Sequence, residues 1–369
     1  MKRHRNVEEE LLEYLDRVTP RHRLKKRNVD IVSHFYGFGD SQWPTLESTA
    51  ERFGVGSRER VRQILNETFR DYLSPSDLPR LRACATLLGS KKTWIGSDSL
   101  EAISDCGYSS AHLSAKGLLN LMHDLSLCDQ YDLYNYSFVK ISRADVDTER
   151  NYFAVESKMA GALKKALHRA RTLPGQLGLA NTRFLAPLSK SVDLNVLITA
   201  LRWDPNSWME PEGKDYWYCL ENRENTLIGM AEKVFALTDE IDCLRLAECL
   251  SNGLKARTLK YQYPDPSRIL SFIQGSKYFS CGKRSARFLG ERGDLTDIQE
   301  AIVQFFREKS VADWKDISSY LYAAGFGKVL VSKAVMQSPL VCVDRASGRR
   351  HYTYSLISQA KTAERARIG

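Results

Sequence analysis

Apolar residues recur at helical spacing most regularly between residues 28 and 73. The first predicted helix carries four of them: Val29, Ile31, Val32 and Phe35. Gly and Pro interrupt the pattern between 36 and 44, and Thr45 then stands where a helix N-cap is expected. Ala50 and Phe53 lie on the apolar side of the helix that Thr45 begins. The spacing therefore predicts two successive helices, each with one buried face.

A tight turn and another helix follow. Gly54-Val55-Gly56 predicts the turn, and Ser57 is a second candidate N-cap. Three apolar residues of the next helix are expected in the core: Val61, Ile64 and Leu65. The opposite arc carries polar residues: Arg58, Glu59, Arg62 and Gln63. This order predicts a helix-turn-helix, whose second helix lies in the major groove, where Arg bonds guanine and Gln bonds adenine. The helix N-terminus with Ser57 is expected to hold a phosphate.

From residue 75 onward, a pattern of helices followed by a β-hairpin recurs at intervals of about 65 to 75 residues. The hairpins are predicted at 126–141, 203–220, 277–289 and 340–356. Three helices followed by a hairpin is the order of a winged helix, so we expect a mainly α protein with small β-hairpins, in which tandem winged-helix domains follow the helix-turn-helix. One or two larger helical domains are the alternative.

The predicted segments are a basic arm (1–27), the helix-turn-helix (28–74), four winged-helix-like modules (75–150, 151–220, 221–293 and 294–358) and a tail (359–369).

Positive charge is concentrated in blocks within a chain of 369 residues and net charge +9. Residues 17–27 carry six basic side chains and no acidic one, and residues 255–292 carry nine against two. Residues 156–190 carry seven against one. Each block alone fits a solvated surface, but three together favour a polyanionic partner such as nucleic acid. The apolar runs are too short for a membrane helix or a secretory signal, so we expect a cytoplasmic, nucleoid-associated protein without a membrane partner.

Catalytic and metal-binding motifs are lacking in the sequence. The eight cysteines include no Cys-x-x-Cys pair, and there is neither His-Glu-x-x-His nor Gly-x-Ser-x-Gly. We therefore expect no enzyme activity, no metal and no organic cofactor.

Residues 45–64 read Thr-Leu-Glu-Ser-Thr-Ala-Glu-Arg-Phe-Gly-Val-Gly-Ser-Arg-Glu-Arg-Val-Arg-Gln-Ile. This run resembles region 4 of sigma-70 family transcription initiation factors, which recognises the promoter −35 element, and Arg-Glu-Arg-Val-Arg-Gln is its most specific part. The resemblance covers about 45 residues. It implies that Arg58, Glu59, Arg62 and Gln63 contact bases and phosphates, and that residues 28–37 form the lead-in helix. This chain departs from the family in having Gly56-Ser57 where the family has a single Thr.

The sequence thus predicts a sequence-specific double-stranded DNA-binding protein, a transcriptional regulator. The expected DNA contacts are Thr45, Ser57, Arg58, Glu59, Arg60, Arg62, Gln63, Lys164, Lys165, Arg169, Arg257, Lys283, Arg284, Arg287, Arg345, Arg349 and Arg350. The alternative is an adaptor that docks on RNA polymerase, or on a mobile-element or antiphage-defence complex, through the same modules.

Overall fold

The computed structural model describes residues 6–18, 25–38, 43–70, 78–96, 98, 101, 115–128, 130–142, 151–255, 261–345 and 352–359. The protein is mainly helical with small antiparallel sheets, as the sequence predicts. It divides into two compact units. The first contains the described residues up to Leu167 together with Lys190–Asp204, and the second contains His168–Ser189 and the described residues from Pro205 onward.

The first part of the chain consists of helices and one short sheet. The helices are α1 (Val7–Val18), α2 (Lys25–Phe35), α3 (Leu46–Arg52), α4 (Arg58–Leu65), α5 (Pro79–Leu88) and α6 (Ala115–Asp124), with a π-helical turn at Asn66–Arg70 after α4. The strands are β1 (Thr93–Ile95), β2 (Tyr131–Tyr134) and β3 (Phe153–Glu156). Next come α7 (Ser157–Leu177), β4 (Ala180–Asn181), a 3-10 helix (Thr182–Lys190), α8 (Leu194–Trp203), β5 (Ser207–Glu212) and β6 (Asp215–Leu220).

The rest of the chain continues the alternation of helices and strand pairs. Its first group is α9 (Thr226–Phe235), β7 (Ile241–Asp242), α10 (Cys243–Lys255), α11 (Pro266–Gly275), β8 (Phe279–Cys281) and β9 (Ser285–Phe288). Its second group is α12 (Asp297–Glu308), α13 (Trp314–Ala323), α14 (Lys328–Met336), β10 (Val341–Arg345) and β11 (Tyr352–Leu356).

One topology recurs in the sheets. Their strand orders are β1-β3-β2, β4-β6-β5 and β7-β9-β8, so the last strand of each set lies in the middle. In the fourth sheet, β10 pairs with β11. An isolated bridge joins Ala312 to Tyr354 of β11, so Ala312 takes the position that the first strand has in the other three sheets. Within the described residues, helix, strand, helices and strand pair therefore repeat over 79–156, 157–220, 226–288 and 297–356, which we call repeats 1 to 4. The segment between β1 and α6 in repeat 1 lies mostly outside these residues.

A buried polar network joins the helices of the first unit. The Tyr36 hydroxyl, just after α2, donates to Asp124 Oδ2 of α6 at 2.7 Å, and Arg70 of the π-helical turn pairs with the same carboxylate. Burial, followed by the nearby Asp124 charge, raises the pKa of Tyr36, so its hydroxyl stays protonated and can donate. The segment that continues α4 is thereby fixed to both α2 and α6.

Each unit has its own apolar core. In the first unit, side chains of α1, α2, α4, α5 and α6 form one cluster, and its fully buried members include Leu15, Ile31, Ile64 and Leu118. In the second unit, residues from repeats 2, 3 and 4 form one continuous cluster, which includes Trp217, Phe235 and Phe306. The module boundaries proposed from the sequence remain a prediction.

The predicted hairpin at 126–141 forms only in part, and the longer pairing of its first strand is with another segment. Tyr131–Tyr134 pairs with Phe153–Glu156, which lies beyond the predicted module end at 150. Locally the chain also folds back on itself at the Tyr134–Lys140 bridge, where the Asn135 N–H donates to Val139 O and the Ile141 N–H donates to Leu133 O. Alternating apolar residues identify a strand but not its partner, so the distant partner was missed. The other three predicted hairpins pair as expected.

Gly117 of α6 lies directly against the backbone of Tyr36. A Cβ at this position would overlap the Tyr36 carbonyl oxygen. We expect Gly117→Ala to lower the free energy of unfolding by about 1 to 3 kcal/mol, because backbone atoms cannot move aside as a flexible side chain does. Gly161→Ala in α7 is the matched control, since its Cβ would meet nothing within 4 Å. Urea unfolding followed by circular dichroism measures both variants, and equal stability would contradict the close approach.

Candidate nucleic-acid interface

Local hydrogen bonds define both ends of α3. Thr45 caps α3 through a reciprocal capping box with Ser48. At the other end, the Gly54 N–H donates to Glu51 O and the Val55 N–H to Ala50 O, while Gly54 has φ +60°. This is a Schellman ending, in which a left-handed residue satisfies the last carbonyls of the helix. The chain leaves α3 in one defined direction.

Three apolar side chains fix the rotation of α4 about its axis. Val61, Ile64 and Leu65 are fully buried, as the sequence predicts. They occupy an arc of about 100° at 3.6 residues per turn, so the remaining positions face outward. The Ser57 side chain accepts a hydrogen bond from the Arg60 N–H at 3.2 Å and begins the helix. Thr45 and Ser57 thus both serve as caps, and whether they also contact DNA stays a prediction.

The outward arc of α4 is polar and exposed: Arg58, Glu59, Arg60, Arg62 and Gln63. We call these five residues the α4 polar face. Arg62 binds Glu59 through two hydrogen bonds, from Nε at 2.9 Å to Oε2 and from Nη2 at 2.6 Å to Oε1. Arg60 donates to Gln63 Oε1 at 3.0 Å. These bonds lie along the helix surface, so they hold the side chains on the face without covering it.

The Arg62–Glu59 ion pair also changes the pKa of the Glu59 carboxyl group. The hydrogen bond from Arg62 lowers the pKa of Glu59, so Glu59 stays ionised through the neutral range. The pair is fully exposed, and the energy of such pairs is small and salt-dependent. A nucleic-acid base or phosphate can therefore replace one partner at little cost.

The helices that precede the strand pairs of repeats 1 and 3 are covered. In α6, Lys116, Leu118, Leu119, Leu121 and Met122 are buried. In α11, Arg268 pairs with Glu210 at 3.6 Å and Glu212 at 3.1 Å, both on β5. Trp208 of β5 also meets Phe272 of α11 edge to face, with ring centroids 5.2 Å apart. These two helices are used for packing inside their own units.

The corresponding helix of repeat 4 is exposed but apolar. Val329 of α14 is 71% exposed, and Leu330 and Met336 of the same helix are also exposed. Val329, Lys333 and Met336 are spaced four and three residues apart, so they share one side of α14. We call Val329, Leu330, Lys333 and Met336 the α14 surface. This surface was not predicted from the sequence, although two adjacent apolar residues beside Lys328 are a signal for it.

The remaining predicted contacts lie elsewhere on the surface. Lys164, Lys165 and Arg169 are exposed on α7. Lys283 and Arg284 are exposed at the turn between β8 and β9, and Arg287 on β9 pairs with Glu240 at 3.2 Å. Arg345 ends β10, and its side chain lies outside the described part of the chain. Arg257, Arg349 and Arg350 also lie outside the described residues. Among the described residues, the predicted contacts thus form separate groups: the α4 polar face, the three basic residues of α7 and the basic residues of the β8–β9 hairpin.

In the described part of the chain, no group of three or more His, Cys, Asp or Glu side chains is placed to hold a metal ion. None of the helices described above is both long and apolar enough to cross a membrane. No family model, curated protein or solved structure matches this chain. The candidate interface therefore rests on the residues and geometry of the protein itself.

Gly54 is expected to be required for the turn that positions α4. Gly54→Ala places a Cβ on a residue at φ +60°, which costs about 1 to 2 kcal/mol. Gly56→Ala is the matched control two residues later, since that position has no positive φ and open space around its Cβ. Thermal unfolding followed by circular dichroism checks both. If Gly56→Ala lowered the stability as much as Gly54→Ala, the Schellman ending would not be what fixes the turn.

Proposed function

We propose that this protein is a sequence-specific double-stranded DNA-binding protein, a transcriptional regulator that reads bases with α4. The observation that carries the proposal is the α4 polar face, which is exposed while Val61, Ile64 and Leu65 anchor the helix. A capped helix following a tight turn from another helix is the geometry that a helix-turn-helix presents to the major groove. The resemblance to sigma-70 region 4 assigns the same residues to DNA contact.

The chemistry of the α4 polar face suits base edges. Arg62 can bond O6 and N7 of guanine with the same guanidinium N–H groups that now bond Glu59. Glu59 can accept from the amino group of the paired cytosine, so the two side chains together match one base pair. Gln63 can bond N6 and N7 of adenine, and Arg58, at the first turn, can hold a backbone phosphate.

We interpret repeats 1 to 4 as winged-helix modules. The support is their shared element order and the central position of the last strand in each three-stranded sheet. The tip of the β8–β9 hairpin in repeat 3, with Lys283 and Arg284 exposed, is the wing that best suits phosphate contacts. Because α6 is buried and α11 is packed on β5, base reading is assigned to α4 alone and the wings are assigned to the backbone.

Selection from random duplexes at about 150 mM salt tests the proposal. An enriched motif is expected, and Arg62→Ala should weaken binding to it by about 1 to 3 kcal/mol and relax the preference at one position. Lys283→Ala should weaken binding to all duplexes alike, and the slope of log K against log salt concentration should become smaller by about one. Arg307→Ala, an exposed arginine on α12, is the control for lost charge. Absence of a motif together with wild-type behaviour of Arg62→Ala would contradict base reading by α4.

The α14 surface favours a second candidate function, docking on another protein. An exposed helix face with Val329, Leu330 and Met336 has little to offer base edges, whereas apolar contacts are typical of protein interfaces. Winged-helix modules serve as docking elements as well as DNA readers. In this version, RNA polymerase or another protein subunit contacts repeat 4, while α4 still binds the promoter.

Leu330→Asp separates docking from DNA binding. If repeat 4 docks on polymerase, this variant should weaken binding to purified bacterial RNA polymerase about tenfold or more, as hot-spot substitutions do, and leave the duplex Kd unchanged. Leu289→Asp is the matched control, because Leu289 is 64% exposed outside α14. Biolayer interferometry with each purified partner measures both affinities. Equal polymerase binding by the two variants would exclude the α14 surface as the docking site.

A further inference from the structure

Two buried cysteines meet between repeats 3 and 4. Cys249 lies on α10 and Cys342 on β10, 93 positions apart in the chain, and their sulfur atoms are 3.1 Å apart. Their side chains are 3% and 5% exposed. Both are free thiols, so the contact is a hydrogen bond and not a covalent link. No local motif predicts this meeting, because only the fold brings the two residues together.

Arg245 distinguishes the two thiols. It lies one turn before Cys249 on α10, and its Nε donates to Cys342 Sγ at 3.3 Å. The other ionisable groups facing the pair are Asp344, 4.0 Å from Arg245, and Glu248. The hydrogen bond between the two thiols, reinforced by Arg245, lowers the pKa of Cys342, whereas the same bond and burial raise the pKa of Cys249. Of the two thiols, Cys342 is therefore the one that loses its proton more readily.

A solvent-connected cavity lies beside both cysteine residues. Its volume is about 710 Å³, and Cys249 and Cys342 are part of its wall. Polar side chains complete the lining near them, among them Asn252, Gln274 and Lys283. A small polar oxidant can therefore approach the pair although the residues themselves are nearly buried.

We propose that Cys342 and Cys249 form a peroxide-sensitive thiol pair, in which Cys342 is oxidised first and Cys249 resolves it to an intramolecular disulfide. The Cys342 thiolate attacks one oxygen of hydrogen peroxide, and the O–O bond breaks. The products are a sulfenic acid on Cys342 and a hydroxide ion, which is the leaving group. The Cys249 sulfur then attacks the Cys342 sulfur. The S–O bond breaks, the oxygen leaves as water with the Cys249 proton, and the S–S bond forms. Two sulfurs lose two electrons, and peroxide takes up both.

A second thiol pair in the same unit provides an internal comparison. Cys243 and Cys281 interact across α10 and β8, and burial followed by Cys281 raises the pKa of Cys243 to about 11. The causes of this shift are burial, the Cys281 thiol and the Asp242 carboxylate, and they do not include an arginine. Because the thiolate is the reactive form, we expect Cys342 to react with peroxide before Cys243. Cys281 is more exposed to solvent than either of them.

The disulfide would join α10 of repeat 3 to β10 of repeat 4. These elements already share one core, so the bond adds a covalent connection to an existing contact. This inference is independent of DNA binding.

Peptide mapping of the full chain tests the proposal directly. The protein is treated with one equivalent of hydrogen peroxide, its remaining thiols are alkylated, and it is digested with trypsin. Cleavage after Arg245, Lys255, Lys333 and Arg345 gives peptides that contain Cys249 alone and Cys342 alone. A linked pair of these two peptides, lost on treatment with dithiothreitol, is the expected result. A link between Cys243 and Cys281 instead, or oxidation confined to Cys281, would overturn it.

Variants assign the order of the steps. In Cys249→Ser, dimedone should label Cys342, because the sulfenic acid has no resolving thiol, whereas in Cys342→Ser it should leave Cys249 unlabelled. Arg245→Gln should slow disulfide formation about tenfold, since a thiolate loses its stabilising cation. Cys219→Ser, another buried thiol of the unit, is the control and should form the link at the wild-type rate. Circular dichroism verifies that each variant is folded, and labelling of Cys249 in Cys342→Ser would reverse the assigned order.

Discussion

The burial of Val61, Ile64 and Leu65 is the constraint on which the candidate interface depends. These side chains leave α4 one rotation about its axis, and that rotation directs Arg58, Glu59, Arg62 and Gln63 outward together. The Schellman ending at Gly54 and the Ser57 cap bound the turn between α3 and α4. The Tyr36–Asp124–Arg70 network then fixes the end of α4 to α2 and α6, so the polar face is carried on a rigid support.

The same topology serves different purposes along the chain. In repeat 1 the helix before the strand pair is buried, in repeat 3 it packs on β5, and in repeat 4 it exposes apolar side chains. A helix-and-hairpin module therefore has no fixed role, since the residues on its outer faces decide what it binds. On this basis the proposed function combines one base-reading helix, basic hairpin tips that contact phosphates, and a separate apolar surface for a protein.

Repeats 3 and 4 are coupled more closely than their separate sheets suggest. Their apolar side chains form one core, and Arg245, Cys249 and Cys342 meet at its edge. In a low-dielectric setting, the guanidinium and the neighbouring thiol act strongly on a single sulfur. The packing that joins two repeats thus also creates a chemically distinct cysteine, in a chain whose sequence contains no redox motif.

The sequence by itself determined the local features. Helical spacing, N-caps and turn glycines gave α2, α3 and α4 and the outward side of α4, because those signals act over a few residues. It also predicted three hairpins whose strands are close in the chain. Only the tertiary structure decided that Tyr131–Tyr134 pairs with Phe153–Glu156, that Arg268 is neutralised by Glu210 and Glu212, and that Cys249 meets Cys342. These are contacts between distant residues, and their partners are selected by the packing of the whole core, which no local pattern encodes.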